Sequence, residues 1–469
     1  MVFSSIIFLF FFLVAVLAVY FLSPGIRIKN FVLMIFSLLF YAWGEGELVL
    51  LMVLSSLFNY GIAFWIDLKR ATKIPLIIGI AINLIVLIYY KYIGLLVGSF
   101  DNLFGTHFNN GINIHLPIGI SFFTFHSMSY IIDIYKKKTG IQKNPLNMIL
   151  YISLFPQLVA GPIVRYSEIE HEIMHRTHTL LNFVNGTKRF CLGLAKKVLI
   201  ANVLGEIADE LFSMQPNEMY FATSWFAIIA YSLQIYFDFS GYSDMGIGLG
   251  QVFGFHFPEN FNFPYIAKSI KEFWRRWHMT LSRWFRDYLY IPLGGSHKGN
   301  YRTYFNLFIV FFATGLWHGA TWNFVLWGLF HGLFLIIERL GFEKTLNKAP
   351  VLGHVYTLLV VVFAWVLFRI PSFEEAINFY RSLFLFEPIA SKMRFMRWVG
   401  SEQIIIFISA IFLSMPIRGK IESVKLKIRN SLVIEIWDYS AMVFYFILLL
   451  LSIMSISSTT YNPFIYFRF

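Results

Sequence analysis

The sequence predicts an all-α polytopic membrane protein, and three observations carry that prediction. Of its 469 residues, 58% are hydrophobic and only 14% charged, a balance suited to bilayer-spanning chains and not to soluble domains. Apolar runs of roughly 20 residues, the length that crosses a hydrocarbon core, recur along the chain. Lys and Arg gather at the ends of some runs and avoid others, which is how cytoplasmic loops are marked. The length accommodates about eleven transmembrane helices with their loops. The formal charge of +12 suits cytoplasmic loops on an anionic leaflet. It does not suit nucleic-acid binding, because the basic residues flank apolar runs instead of covering a soluble domain. A single cysteine, Cys191, excludes an internal disulfide and any cysteine metal site.

The elements follow in order. Residues 2–22 form an apolar run with no basic residue before it, and Arg27 and Lys29 follow it. A signal peptide has the reverse charge order, so an uncleaved span with an external N-terminus is expected. Spans at 31–43 and 48–66 flank the acidic GEGE (44–47), and Asp67, Lys69, Arg70 and Lys73 separate the third from a fourth at 74–98. Residues 99–115 are polar and mostly uncharged, as an external loop would be. The next span, 116–135, contains His126 and Asp133 and stops at Lys136, Lys137 and Lys138, which mark the cytoplasm. Residues 146–164 are interrupted by Pro156, Gly161 and Pro162, as in a re-entrant or broken helix lining a cavity. HEIMHRTHT (171–179) formally contains His-Glu-x-x-His, but it reads as a polar linker without the apolar helix that would bury a zinc site.

An amphipathic-to-apolar helix at 180–213 and a span at 219–238 lead into YFDFSGYSDMGIGLG (236–250). Asp238 and Asp244 lie here near membrane depth. Either they cap helices or pair with basic residues, or they border a reaction chamber. GIGLG is no dinucleotide fingerprint, since no strand precedes it. Apolar runs at 351–369, 403–415 and 438–457 complete the chain, the last two separated by a linker with Lys420, Lys425, Lys427 and Arg429. No repeat or soluble module interrupts residues 1–469, which read as a single membrane domain. A soluble acceptor-binding module is therefore expected on another protein.

Residues 268–333 hold the chemistry. Taken as one helix, Lys268–Tyr290 places Lys268, Lys271, Arg275, Arg276, Arg283 and Arg286 within an arc of about 140°. Ile270, Phe273, Trp274, Trp277, Leu281, Trp284, Phe285 and Tyr288 fill most of the opposite side, with His278 at the boundary. Such a helix lies along a membrane surface, and its cations can also hold a phosphate-bearing donor. Two apolar spans follow, broken near Gly319–Asn323. His318 stands at that break between Gly315 and Gly319, and His331 lies inside the second span. An ionisable side chain at membrane depth is costly and therefore a functional candidate.

RRWH (275–278), RDYLYIPLGG (286–295) and LWHG (316–319) together resemble the membrane-bound O-acyltransferase superfamily. The nearest likeness is to its bacterial branch that O-acetylates polysaccharides such as alginate and peptidoglycan. MVFSSIIFLF at the start, LPIGISFFTFHSMSYIIDIY (116–135), FPQLVAGPIVR (155–165), ENFNFPY (259–265) and the closing NPFIYFRF (462–469) extend the resemblance nearly end to end. One departure is Thr314, where the family usually carries glycine. The resemblance implies re-entrant and amphipathic helices, a ring of transmembrane helices around a thin central core, and a through-membrane tunnel. It implies that His318 is catalytic and that His278 shares its site. Arg275, Arg276, Trp317, Asp238 and Asp244 are then the candidate substrate-binding residues. Acetyl-CoA is the expected donor, with no bound cofactor or metal. The expected partners are a periplasmic acetyltransferase, a polysaccharide acceptor and membrane lipid, in a bacterial inner membrane. Two other functions fit less of the chain. One is carrier-dependent transfer of the teichoic acid D-alanylation type. The other is a transporter, which should show paired halves that this sequence lacks.

The charge order makes a topological prediction. With Cys191 replaced, cysteines placed in GEGE (44–47) should react with an impermeant thiol reagent on intact cells. A cysteine at Lys137 should react only after permeabilisation, and its labelling from outside would reverse the orientation.

Overall fold

Every regular element in the computed structural model is helical, and no strand occurs among the described residues. A chain in hydrocarbon must satisfy its backbone within each segment, which helices do. The structure describes the chain except residues 70–71, 109–113, 160, 216–217, 387–399, 418, 420–422, 424, 426, 429–430, 460 and 466–469. Lys420, Arg429 and the end of NPFIYFRF thus lie outside the described residues. Among the described residues, five helical stretches are long and apolar enough to cross a membrane: Gly25–Leu68, Ile74–Phe104, Trp322–Lys348, Pro350–Arg369 and Leu432–Ser458. The chain divides into two units, taken here in turn.

The first unit comprises Met1–Phe190, Ser243–Glu259 and Arg283–Leu289. It opens with a π-helical turn, Phe8–Phe12, and α1 (Leu13–Leu22). The 44-residue stretch then breaks into α2 (Gly25–Glu45) and α3 (Val49–Leu68). The break falls in GEGE, where Gly46 takes φ 56°, a conformation that favours glycine. Next come α4 (Ile74–Leu87) and α5 (Ile93–Phe104). The expected span at 116–135 is α6 (Ile120–Tyr135), and every residue from Ile120 to Ile134 is buried. This helix is enclosed by protein on all sides, against α3 and α4, and does not face lipid. Its Ser, Thr, His and Asp side chains require that shielding. The interruption at Pro156 appears as two short helices, α7 (Pro145–Ser153) and α8 (Phe155–Leu158).

HEIMH (171–175) departs from expectation. It forms the end of α9 (Tyr166–His175), which buries Ile169 and Ile173, where a linker was expected. The helix starts at a Glu168 carboxylate that accepts from the Arg165 backbone N–H. Glu172 accepts from the His256 backbone at 3.0 Å and lies 2.6 Å from His256 Nδ1. It is thus committed to a partner outside the motif. Helix α10 (Leu180–Ala195) follows.

The second unit comprises Cys191–Tyr242, Asn260–Ser282 and Tyr290–Phe469. It contains α11 (Asn202–Phe212) and the first part of α12 (Phe221–Val252), then α13 (Ile270–Trp274) and the start of α14 (Met279–Phe285). After these come α15 (Asn300–His318), α16 (Trp322–Ile337), α17 (Glu343–Lys348), α18 (Pro350–Arg369) and α19 (Phe373–Ser382). Helices α20 (Ser401–Leu413) and α21 (Ser431–Ser458) close the unit. Its tightest packing joins α15 to α16. A Cβ on Gly328 would collide with the Phe311 carbonyl oxygen, and one on Gly315 with the Phe324 carbonyl oxygen. Gly328 and Gly332 on α16 repeat at the four-residue spacing that lets membrane helices meet closely, and Gly315 faces them from α15. Thr314 fits beside this seam because its hydroxyl donates to the Val310 carbonyl at 2.8 Å within its own helix.

Gly328→Ala should therefore lower stability by about 1–3 kcal/mol through overpacking. Gly94→Ala is the control: a Cβ there meets nothing within 4 Å, and alanine in a helix gains up to about 1 kcal/mol over glycine. Thermal unfolding of the purified protein in one detergent distinguishes the two, and equal effects would discount the seam.

Candidate functional site

The expected helix over 268–290 is not continuous. Ser269 starts α13 by accepting from the Glu272 N–H at 3.0 Å, and the Glu338 carboxylate accepts from the Ile270 and Lys271 N–H groups at 2.5 and 3.1 Å. The helix stops after Trp274, and α14 begins at Met279. Across the gap, segment 260–262 takes over the backbone: Asn262 N–H donates to the Arg276 carbonyl, and Met279 N–H to the Asn260 carbonyl, both at 2.9 Å. His278 occupies the break with φ 41°, a left-handed conformation that costs a non-glycine residue roughly 1–3 kcal/mol. Strain of this kind persists only where the surroundings over-determine it.

The break also dissolves the single cationic face. In the second unit, Lys271 pairs with Glu343 at 2.9 Å and Arg276 with Glu272 at 2.8 Å. In the first, Arg283 pairs with Glu168 at 3.3 Å and Arg286 with Asp287 at 2.7 Å. Arg275 is exposed and makes no ion pair among the described residues.

His278 is fully buried. Its Nδ1 lies 3.0 Å from Asn260 Oδ1. The same oxygen accepts from Thr280 Oγ1 at 2.9 Å and from the Thr280 backbone N–H at 3.3 Å. His278 lies outside the five candidate spans, and burial lowers its pKa to about 3, so the ring is neutral at pH 7. Phe239 of α12 stands edge-on to the imidazole, centroids 4.7 Å apart.

His318 ends α15 and is 3% exposed. Trp317 connects it to His278, its centroid lying 4.9 Å from the His318 ring and 5.7 Å from the His278 ring. Trp327 and Phe368 complete an aromatic wall around His318, at 4.8 and 5.2 Å. The structure thus gathers His318, His278 and Trp317, three of the residues predicted from sequence. His331 sits one layer further along, between Trp327 at 5.1 Å, Trp274 at 5.2 Å and a parallel Phe273 ring at 6.1 Å. An apolar cavity of about 600 Å³ runs along α16 and α18, lined by residues such as Leu326, Phe330 and Leu367 and by neither His278 nor His318.

The two aspartates are held by cations. Asp238 pairs with Lys197 at 2.6 Å, both side chains almost wholly buried. Its other oxygen accepts from the Ile465 N–H at 2.9 Å, while Lys197 also donates to the Pro463 carbonyl. Asp244, in the first unit, accepts from Arg189, which also binds Glu259. Sequence reasoning did not single out Asn260. The signal was present in ENFNFPY (259–265), whose first asparagine it is.

A model of the membrane-bound O-acyltransferase family matches residues 35–375. A protein named as a probable alginate O-acetylase of Pseudomonas aeruginosa is 44% identical over 398 residues, covering 82% of this chain and 75% of that one. One of the same name from Pseudomonas putida is 38% identical over the full length of both. A peptidoglycan O-acetyltransferase of Helicobacter pylori is 37% identical, covering 74% of this chain and 72% of its own. These likenesses and the apolar helices indicate a multi-pass membrane protein. They favour acyl transfer over transport.

The Lys197–Asp238 pair offers a test of what Asp238 does. Asp238→Asn leaves Lys197 buried without its counter-charge and should cost about 3–5 kcal/mol. The double change Lys197→Met with Asp238→Leu should recover much of that loss in thermal unfolding. A stable Asp238→Asn protein with a raised KM would instead make Asp238 a substrate contact.

Proposed function

We propose, since the chain belongs to the membrane-bound O-acyltransferase family, that this O-acyltransferase takes acetyl from acetyl-CoA at the cytoplasmic face for O-acetylation of an exported or cell-envelope polysaccharide. Relatives named for alginate and peptidoglycan O-acetylation support the acceptor class. The inner membrane follows from that placement of donor and acceptor, and a periplasmic transferase that completes the sugar modification is the expected partner.

The observation that carries the site assignment is the pair of buried histidines flanking one indole, with His318 at a helix end. His318 acts as general base. A ring nitrogen takes the proton of the attacking hydroxyl, and the hydroxyl oxygen forms a bond to the thioester carbonyl carbon. The carbon–sulfur bond then breaks, and the CoA thiolate leaves and receives the proton from His318. Close-packed aromatic rings keep water from competing for the acyl group. His278 orients a substrate beside the base. Arg275, exposed and without an ion pair among the described residues, is the cation best placed to meet the donor's phosphates. Arg276 is partly committed to Glu272.

His318→Ala should abolish practical acetylation, since a general base contributes roughly 10²- to 10⁴-fold. The protein should remain inserted, because the change removes a polar group from an apolar surround. His331→Ala should cost less. The measurement is acetyl ester on the envelope polysaccharide, together with transfer of labelled acetyl by purified protein. Near-normal ester in the His318→Ala strain would move the base elsewhere. Transfer of D-alanine from a carrier in place of acetyl would favour the teichoic-acid type of chemistry.

A further inference from the structure

Three donors converge on one oxygen. Asn260 Oδ1 receives the Thr280 backbone N–H, lies 2.9 Å from Thr280 Oγ1 and lies 3.0 Å from His278 Nδ1. A backbone N–H can only donate, so the Asn260 atom facing it is the carbonyl oxygen and not the amide nitrogen. An amide oxygen can only accept, so His278 must carry its proton on Nδ1. In the neutral ring Nε2 is then a bare lone pair. It is buried, and it makes no hydrogen bond among the described residues. Rotation of the imidazole is blocked as well: Phe239 stands edge-on at 4.7 Å, and the His278 backbone is fixed at φ 41° by the Asn260 and Asn262 backbone bonds on either side of it.

We propose that Asn260 is a positioning residue of the acyl-transfer site: it holds His278 as the Nδ1–H tautomer, so that Nε2 meets substrate as a hydrogen-bond acceptor. This rests on the acetyl-transfer reading above. It assigns His278 a definite chemistry, because a bare Nε2 cannot stabilise a developing oxyanion. The substrate group that meets it is an N–H or O–H, supplied either by an amide of the donor's pantetheine arm or by a hydroxyl of the acceptor sugar. Asn260 touches neither substrate in this role and acts through the ring. Because Oδ1 carries three contacts, its removal disturbs Thr280 also, and a variant that keeps the oxygen is needed beside one that removes it.

The test uses the full chain in bilayers. ¹⁵N-histidine solid-state NMR, with the His278 signal identified by its loss in His278→Gln, should show Nδ1 protonated and Nε2 bare. Asn260→Ala should shift or mix the tautomers and lower the turnover of labelled acetyl-CoA by roughly 10²-fold, the scale of a displaced reacting group. Asn260→Asp, which keeps the acceptor, should restore most of that rate and shift the acidic limb of the pH profile upward, because a carboxylate raises the basicity of the ring. Adding Asn260→Ala to His278→Ala should cost little more than His278→Ala alone. A rise in KM for acetyl-CoA in His278→Ala identifies the donor arm as the partner, and a rise for the acceptor identifies the sugar. A protonated Nε2 in the wild-type protein overturns the inference. So does an unchanged rate in Asn260→Ala, or losses from the two alanine changes that simply multiply. If the wild-type tautomer is as stated but purified protein transfers no acetyl, the acetyl-transfer reading fails, and with it the positioning role of Asn260 in that reaction.

Discussion

The backbone contact between α15 and α16 is the constraint on which the rest of the site depends. Lipid is as apolar as leucine, so helices in a bilayer gain little from hiding apolar side chains from it. Close approach and dispersion must hold them together instead. Gly315 and Gly328 supply that approach by omitting the Cβ atoms that would strike the Phe311 and Phe324 carbonyls. With the seam closed, His318 at the end of α15 is pressed against Trp327 of α16. The glycines beside His318 therefore serve helix packing first, and the enclosure of the imidazole follows from it.

The second element of the site is built by interruption. A continuous amphipathic helix through 275–278 would satisfy its own backbone and leave Asn260 and Asn262 without partners there. The chain instead exchanges intrahelical bonds for bonds to that neighbouring segment. The exchange holds His278 in a conformation its side chain would not otherwise favour. In return the ring gains a fixed partner in Asn260. The cationic residues of the same stretch become mostly paired, which is how long basic side chains are kept beside apolar surface without repelling one another.

Much of this was legible in the sequence, and the reasons differ by residue. His318 was singled out because an ionisable group between glycines at a break in an apolar run is a functional candidate, and Trp317 came with it in LWHG (316–319). The acidic GEGE (44–47) marked the break between α2 and α3 through its charge. Helix α6 was found as a span, but its full enclosure was not legible, because hydropathy counts composition and not surroundings, and only packing reveals that its polar faces are covered. The helix over 268–290 was drawn too long because periodicity cannot register partners 14 to 19 residues away in sequence. Asn260 was missed for the same reason, since a tautomer-fixing amide is defined by what it faces. HEIMH (171–175) was taken for linker because the helix that ends in it buries only Tyr166, Ile169 and Ile173, too few apolar positions to register as a span.

The Lys197–Asp238 pair has a consequence for how the protein is made. Asp238 takes its second hydrogen bond from Ile465, 227 residues further along the chain. All segments of the first unit have been synthesised once Leu289 is added. The second unit must wait, with a partly satisfied carboxylate beside a lysine in an apolar setting, until Ile465 arrives. A nascent chain stalled short of residue 465 would carry a finished set of first-unit segments and an unfinished second unit, since domains fold as units during synthesis.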